Sequence, residues 1–140
     1  MVTNPISSAL HAFETLGMKR VGVLTPYTAD VNAGIQCFIE AAGFTVPVFA
    51  SFNEPSDTVV ASITPASLRG AVHTLAESGP MDGVFVSCTS IRLLDQIETL
   101  EGELDMPVTS SNHALIWRSL RSARIDDTLD GLGLLFREKR

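Results

Sequence analysis

The sequence predicts an α/β domain in which a mainly parallel sheet is covered by helices on both faces. Short apolar runs alternate with segments of helical periodicity throughout the chain. No tight hairpin turn joins two of these runs, so crossover helices must connect them, and crossovers make neighbouring strands parallel. The 140 residues, 45% of them hydrophobic, suit one domain. We place this domain at residues 1–121 and assign residues 122–140 to a C-terminal tail.

The chain opens with a helix and a buried strand. Apolar residues at helical spacing predict a helix over residues 6–16, and Gly17 ends it. Residues 21–24 form a short apolar run that stops at Pro26. This run predicts a strand that is buried on both faces.

A second helix and a second strand follow. Asp30 is placed to cap a helix over residues 31–42. One face of that helix carries five apolar residues, which are Val31, Ile35, Phe38, Ile39 and Ala42. Residues 44–52 predict the second strand, and Pro47 within it indicates a position at the edge of the sheet.

The remaining elements repeat the alternation. A polar loop at 53–57 leads to a helix over 64–78, and residues 82–87 predict the third strand. Apolar spacing predicts a helix over 91–104. The last two elements are a short strand at 106–109 and a helix over 110–121 that the run Ser110-Ser111-Asn112 caps.

Charge and cysteine content limit the class of partner and the compartment. The net charge of −6 and the pI of about 4.9 argue against nucleic acid or an anionic membrane as a partner. No apolar run is long enough to span a membrane and no signal-peptide pattern opens the chain, so we expect a cytoplasmic protein. We expect Cys37 to be a small residue in the core or partly buried, and we expect Arg118, Arg121 and Arg124 on a solvated helix face.

Three loops rich in small hydroxyl residues follow strands one, three and four. They are residues 25–28, 87–90 and 109–112. The carboxyl ends of parallel strands meet at one edge of a sheet, where ligands bind in such folds. The last two loops lead into predicted helix N-termini, whose free N–H groups suit a carboxylate. Helix capping alone also explains these residue types.

Cys88 is the candidate catalytic residue of this edge. We predict that the strand ends at Ser87-Cys88-Thr89-Ser90 and enters a helix directly, so that the positive helix end favours the thiolate and proton transfer. An inert buried cysteine is the alternative. Two alternatives are open for His113: it pairs with Cys88 as in a thiol hydrolase, or it faces solvent.

Other side chains are less specific. The Tyr27 hydroxyl can donate to a substrate carboxylate, although half-buried packing is the commoner role of a tyrosine in a turn. Trp117 is expected in the core. There is no Gly-rich phosphate loop, and two cysteines and three scattered histidines form no metal-binding pattern. We therefore expect neither a nucleotide cofactor nor a metal.

Three ordered motifs and the C-terminal segment resemble one known superfamily. The motifs are residues 21–32 (VGVLTPYTADVN), 86–92 (VSCTSIR) and 107–117 (PVTSSNHALIW), and the segment is 131–136 (GLGLLF). They resemble the aspartate/glutamate racemase superfamily. Within it they are most similar to the branch of maleate cis-trans isomerase, arylmalonate decarboxylase and a related ectoine-utilisation protein. The resemblance runs over nearly the whole chain and matches the second half of such a protein.

The resemblance implies a fold and a set of site residues. It implies one flavodoxin-like three-layer half with a four-stranded sheet, and an active site in the cleft between two halves. It also implies catalysis without a cofactor, in which Cys88 moves a proton at the carbon next to a carboxylate. The carboxylate-binding residues matched in this chain are Tyr27, Thr89, Ser90, Asn32, Ser110, Ser111 and Asn112.

The predicted function is a cofactor-independent isomerase, racemase or decarboxylase acting on a small dicarboxylic or amino acid. Only one half with one matched cysteine is present, so we expect either a homodimer or a missing N-terminal half to complete the cleft. A non-catalytic domain that binds small anions is the first alternative, and the Cys88/His113 thiol hydrolase is the second.

Overall fold

Four parallel strands form the centre of the molecule in the computed structural model, which describes residues 3–138. The strands are β1 (Val21–Thr25), β2 (Phe49–Ser51), β3 (Gly83–Val86) and β4 (Val108–Ser110). They lie in the order β2-β1-β3-β4, and every pairing is parallel. The predicted α/β class with a four-stranded parallel sheet is confirmed.

Within residues 3–138, six α-helices connect and cover the strands. They are α1 (Pro5–Thr15), α2 (Ala29–Ala41), α3 (Asp57–Ala61), α4 (Pro65–Glu77), α5 (Ile97–Leu104) and α6 (Ser111–Ser122). Side-chain caps define several starts: Asn4 accepts from the Ser7 N–H at 2.9 Å, and Thr64 accepts from the Ser67 N–H at 3.1 Å. The short helix α3 was not predicted, because five residues show no clear helical period.

The helices form one layer on each face of the sheet. On one face, Leu68, Val72 and Leu75 of α4 pack with Val84 and Val86. On the opposite face, the buried side chains of Phe13, Ile39 and Trp117 from the helices pack with Phe85 of β3. Phe13 makes an edge-to-face contact with Phe85 at 5.2 Å between ring centroids. Trp117 is buried, as expected.

The second strand is shorter than predicted and lies at the edge, as Pro47 indicated. Only Phe49–Ser51 pairs regularly with β1, and an isolated bridge joins Arg20 to Thr45. Pro47 separates the two pairings because it has no N–H to donate to a ladder.

The helix after β3 begins later than the apolar spacing predicts. A 3₁₀ turn at Leu94–Gln96 precedes α5, which starts at Ile97 rather than at residue 91. Ile91 and Leu93 are buried in the core although they precede the helix. Their apolar character therefore reflects a loop that enters the core and not a helix face. The start of α2 also differs, because Thr28 is its N-cap and Asp30 lies in the first turn.

Arg121 is a buried side chain, which corrects the prediction that it lies on a solvated helix face. Its guanidinium donates to the carbonyl of Ile125 at 2.7 Å, of Asp127 at 3.3 Å and of Glu138 at 3.1 Å. Three backbone carbonyls replace water around this charge. The prediction for Cys37 is also wrong, because this cysteine is exposed on α2.

The predicted loose tail contains an ordered segment that packs onto α5 and α6. Leu135 and Phe136 are fully buried, and a 3₁₀ turn covers Leu134–Phe136. The Leu134 N–H donates to the Glu101 carboxylate at 2.8 Å. The last two positions of the predicted tail, 139 and 140, lie outside the described residues.

Within residues 3–138, the structure holds no helix with the length and apolar character needed to cross a membrane.

Candidate active site

The three hydroxyl-rich loops lie side by side at the carboxyl edge of the sheet. The pairing registers place Leu24 beside Val86 and Val86 beside Ser110. The Ser87 N–H also donates to the Leu24 carbonyl at 2.8 Å, just where β3 ends. The parallel order that the sequence predicted therefore brings the segments after β1, β3 and β4 together.

Cys88 occupies an unusual backbone conformation at this edge. Its φ is +156°, a region that residues other than glycine rarely adopt, at a typical cost of about 1–3 kcal/mol. Two hydrogen bonds hold it there: the Cys88 N–H donates to Ser111 Oγ at 3.1 Å, and the Ser90 N–H donates to Cys88 Sγ at 3.3 Å. The residue is 4% exposed, so the sulfur lies just beneath the surface.

The helix end beside Cys88 belongs to α6 and not to the helix that follows β3. The prediction that the strand enters a helix directly is wrong, since α5 starts at Ile97. Ser111, however, is the first residue of α6, and its hydroxyl bonds to Cys88. The positive end of a twelve-residue helix therefore lies next to Cys88, although it comes from another part of the chain.

Tyr27 has the half-buried packing role that its sequence position allowed, and its contact with a substrate carboxylate stays a prediction. Its half-buried ring packs against the core cluster that contains Cys88. Burial raises the pKa of the Tyr27 hydroxyl, and a hydrogen bond with the Cys88 side chain and the charges of Cys88 and Asp57 raise it further. The hydroxyl therefore stays protonated at neutral pH and can act as a hydrogen-bond donor.

A network of polar side chains supports the Tyr27 turn. Asn32 Nδ2 donates to the Tyr27 carbonyl at 2.9 Å, and Thr25 Oγ1 donates to Asn32 Oδ1 at 2.5 Å. Ser51 Oγ also donates to the Tyr27 carbonyl. Both ends of the Asn32 amide thus bond to the protein itself, and its contact with a substrate carboxylate stays a prediction.

The polar side chains around the start of α6 also form hydrogen bonds within the protein. Asn112 Nδ2 donates to the Thr89 carbonyl at 2.9 Å, and Ser110 Oγ accepts from the His113 N–H at 3.3 Å. The Asn112 bond holds the loop that carries Cys88, and the Ser110 bond caps α6. Contact with a substrate carboxylate stays a prediction for five residues, which are Thr89, Ser90, Ser110, Ser111 and Asn112.

A cavity of about 500 Å³ opens at this edge. Its polar end is lined by Tyr27, Ser87, Thr89 and Ser111, so the residues on both sides of Cys88 reach it. The rest of the wall comes from the start of α1 and one face of α2, through Asn4, Pro5, Ile6, Val31, Gly34, Ile35 and Phe38. None of these described lining residues is charged.

The apolar face of α2 is the part of the site that the sequence did not predict. Its spacing indicated a buried face, yet Val31 is 49% and Phe38 is 48% exposed, and within α2 only Ile39 is buried. Helical periodicity shows that a face is apolar. It does not distinguish a face that packs on the core from one that lines a cavity.

The predicted Cys88/His113 pair is not formed. His113 is fully buried, with Nδ1 bonded to Thr109 Oγ1 at 2.9 Å and Nε2 bonded to the Leu132 carbonyl at 2.8 Å. Burial lowers the pKa of His113 to about 4. Both ring nitrogens are occupied, so the thiol-hydrolase prediction is wrong.

In the part of the chain from 3 to 138, no three His, Cys, Asp or Glu side chains are grouped as a metal site requires. At the carboxyl edge, the residues present offer a sulfur, a protonated phenol, hydroxyls and backbone N–H groups.

Comparisons with known proteins agree with this fold. A sequence model of the family described as arylmalonate decarboxylase matches residues 2–136. Maleate isomerase of Nocardia farcinica (strain IFM 10152) is 26% identical over 139 residues, which are 99% of this chain and 55% of that protein. Arylmalonate decarboxylase of Bordetella bronchiseptica is 29% identical over 122 residues, 86% of this chain and 51% of that protein.

A solved structure shows the same likeness in three dimensions. It is the Nocardia farcinica maleate cis-trans isomerase, as a cysteine-to-serine mutant with a covalently bound succinylcysteine intermediate. This chain matches it with a TM-score of 0.84 and 25% identity over 95% of its own length and 54% of that chain. The chain spans about half the length of the curated relatives it matches.

Proposed function

The chain belongs to the arylmalonate decarboxylase family, and on this premise we propose that it provides one half of a cofactor-independent enzyme in which Cys88 transfers a proton at the carbon next to a carboxylate. The observation that carries the proposal is that Cys88 bonds to Ser111 in the first turn of α6 and interacts with the Tyr27 side chain, and that Ser111, Tyr27 and both sequence neighbours of Cys88 line one cavity. The reaction class is isomerisation, racemisation or decarboxylation of a small dicarboxylic or amino acid.

The mechanism follows from the groups that can stabilise the negative charge that develops on the substrate. When an α-proton is removed or CO₂ leaves, the bonding electrons pass into an enediolate on the remaining carboxylate. Cis-trans isomerisation of an unsaturated dicarboxylate also needs a nucleophile from the other half, which adds to the double bond, allows rotation about the resulting single bond and leaves again. The neutral Tyr27 hydroxyl and backbone N–H groups near Thr89 and at the α6 N-terminus stabilise that charge. Cys88 accepts the proton as thiolate, or donates one to the carbon as thiol and recovers it from solvent.

The second face of the substrate needs groups that this half does not carry. Relatives are about twice as long, so a second α/β unit of the same size would bring the assembly to their length. We assign that unit to a second copy of this chain, with the cleft between the two copies. Under this assignment, two copies of the chain must associate before the enzyme can convert substrate.

The decisive experiment compares three proteins: the wild type, Cys88→Ala and Cys37→Ala. Each is incubated in D₂O with maleate, phenylmalonate or aspartate, and NMR follows isomerisation, loss of CO₂ and deuterium entry at the α-carbon. We expect activity in the wild type and in Cys37→Ala, since Cys37 is exposed on α2 and does not line the cavity. Cys88→Ala should lose at least about 10²-fold, the lower end for general acid–base catalysis.

Circular dichroism of Cys88→Ala checks that the fold is retained. Turnover that survives this substitution would contradict the proposal.

The half-length match also favours a second candidate, a domain that binds small carboxylates without catalysis. The two functions are separated by the mass in solution and the alkylation rate of Cys88. A monomer with an unreactive thiol supports the binding domain, whereas a dimer whose thiol reacts rapidly supports the enzyme.

A further inference from the structure

Side chains bind both of the backbone polar groups of Tyr27. Its N–H donates to Thr25 Oγ1 at 3.2 Å. Its carbonyl accepts from Asn32 Nδ2 at 2.9 Å and from Ser51 Oγ at 2.5 Å. The three side chains come from β1, α2 and β2. Three separate elements therefore determine where Tyr27 lies.

Asn32 joins these bonds into one network. Thr25 Oγ1 donates to Asn32 Oδ1 at 2.5 Å, while Asn32 Nδ2 donates to the Tyr27 carbonyl. The amide cannot be reversed, because Oδ1 would then face the Tyr27 carbonyl oxygen and neither atom carries a proton. Asn32 thus uses its acceptor on the end of β1 and a donor on the turn that follows it.

The Asn32 side chain reaches the site through Tyr27. Tyr27 is one of the described residues that line the cavity, and Asn32 is not among them. The residues of α2 in the cavity wall are Val31, Gly34, Ile35 and Phe38. The hydrogen bond to the Tyr27 carbonyl is therefore the connection between the Asn32 amide and the groups that face the cavity.

We infer that Asn32 is a positioning residue, which fixes the Tyr27 turn between β1 and α2 and acts on the reaction through the Tyr27 hydroxyl. The inference rests on the proposed function, in which that hydroxyl stabilises the enediolate. It gives Asn32 a different role from the carboxylate contact that the family resemblance implied. A displacement of about 1 Å at a group that binds the transition state can cost about 10²-fold in rate.

The test is a double-mutant cycle between Asn32→Leu and Tyr27→Phe in the full chain. Leucine has nearly the shape of asparagine and no hydrogen-bonding group. Turnover is measured with whichever of maleate, phenylmalonate or aspartate the wild type converts. Tyr27→Phe should lower kcat/KM by about 10²-fold, and Asn32→Leu by about 10- to 10²-fold. The double variant should match Tyr27→Phe within about twofold, because no hydroxyl is left to position.

Gln36→Met is the matched control. Gln36 is another amide on α2, and its Nε2 donates to Glu40 at 3.0 Å. This variant should leave kcat/KM unchanged with and without Tyr27→Phe. Losses that multiply in the Asn32 cycle, to about 10³-fold or more, would overturn the inference. They would mean that Asn32 binds substrate itself or supports the whole fold.

A second readout does not need turnover. Tyr27 is the only tyrosine of the chain, so the ultraviolet absorbance of phenolate reports its ionisation alone. Burial, the contact with Cys88 and the charge of Asp57 raise the pKa of Tyr27. A ring that leaves its place loses the first two effects, so the pKa in Asn32→Leu should fall toward the ordinary value of 10.0.

Circular dichroism at each pH confirms that the proteins compared are folded, and Gln36→Met should titrate as the wild type does. An Asn32→Leu protein whose Tyr27 ionises as in the wild type would contradict the inference. A wild type that converts none of the three acids instead overturns the proposed function. The Tyr27 titration then still decides whether Asn32 holds the turn.

Discussion

At the scale of single residues, the polar side chains around the site divide into those that face the cavity and those that hold its loops. Tyr27, Thr89 and Ser111 line the cavity, whereas the amides of Asn32 and Asn112 bond to loop carbonyls. Ser111 belongs to both groups, because its hydroxyl also accepts from the Cys88 N–H and so helps to hold the rare backbone conformation of Cys88. A conformation that costs free energy persists when surrounding contacts determine it.

His113 gives a prediction at the same scale, which concerns pH and stability. Its native pKa is about 4 and its ordinary value is 6.5. Between these values the unfolded chain binds more protons than the native protein, so the free energy of unfolding falls as the pH falls from about 6.5 toward 4. The full difference is up to about 3 kcal/mol.

Urea unfolding across this pH range would measure the effect in the wild type, His113→Gln and His11→Gln. His113→Gln should lack this part of the pH dependence, although loss of the Thr109 and Leu132 contacts lowers its stability overall. His11→Gln removes an exposed imidazole and should keep the wild-type slope. If His113→Gln and His11→Gln show the same dependence of unfolding free energy on pH, His113 is not the group that causes the effect.

At the scale of elements, the C-terminal segment is held onto the domain by buried polar groups. Glu101 accepts N–H bonds from Val108 at 3.0 Å and Leu134 at 2.8 Å, which joins the start of β4 to this segment. His113 and Arg121 bind its carbonyls from α6. The segment therefore contacts the elements that carry the loop after β4, although it lies away from the cavity.

Gly133 is the residue that permits this approach. Its φ is +76°, and a Cβ there would lie 2.6 Å from Glu101 Oε2 and 2.8 Å from Ile97 Cγ2. Gly133→Ala should therefore lower the free energy of unfolding by about 1–3 kcal/mol and increase amide exchange over residues 131–138. Denaturant unfolding and hydrogen exchange would measure the two effects.

Gly102→Ala serves as the control for that experiment. Gly102 lies within α5, and a Cβ there would have no neighbour within 4 Å. Because alanine favours helix over glycine, this variant should be neutral or stabilised by up to about 1 kcal/mol. A Gly133→Ala protein as stable as Gly102→Ala would show that the segment does not need the close approach.

At the scale of the whole molecule, the site borders an exposed apolar surface that the domain does not cover. Val31 and Phe38 on α2 are both about half exposed, at 49% and 48%, beside the cavity. Contiguous apolar surface of this kind is typical of interaction sites. Together with the half-length match to the relatives, it supports a second copy of the chain on this face.

Phe38→Asp tests that arrangement. A charge on this face should convert a dimer to a monomer in analytical ultracentrifugation and remove turnover, while the melting temperature changes little because the residue is half exposed. Ile125→Asp is the control, since Ile125 is 42% exposed and outside the cavity. A wild type that is monomeric at all concentrations would exclude the second copy and leave a different polypeptide segment as the other half.

The sequence by itself determined the order of the elements, the parallel sheet, the edge position of β2 and the candidate Cys88. These features depend on properties that run along the chain, such as apolar spacing, the missing N–H of Pro47 and the residue types that follow each strand. It also identified the superfamily, since three motifs in the right order are a property of sequence alone.

Only the tertiary structure decided which groups meet in space. The helix end beside Cys88 is that of α6, His113 binds the C-terminal segment, Arg121 is buried, and the apolar face of α2 lines the cavity. Local patterns show that a side chain is apolar, charged or able to bond. The partner that a side chain contacts depends on packing between segments that are far apart in sequence. The spacing of residues within one segment contains no information about that packing.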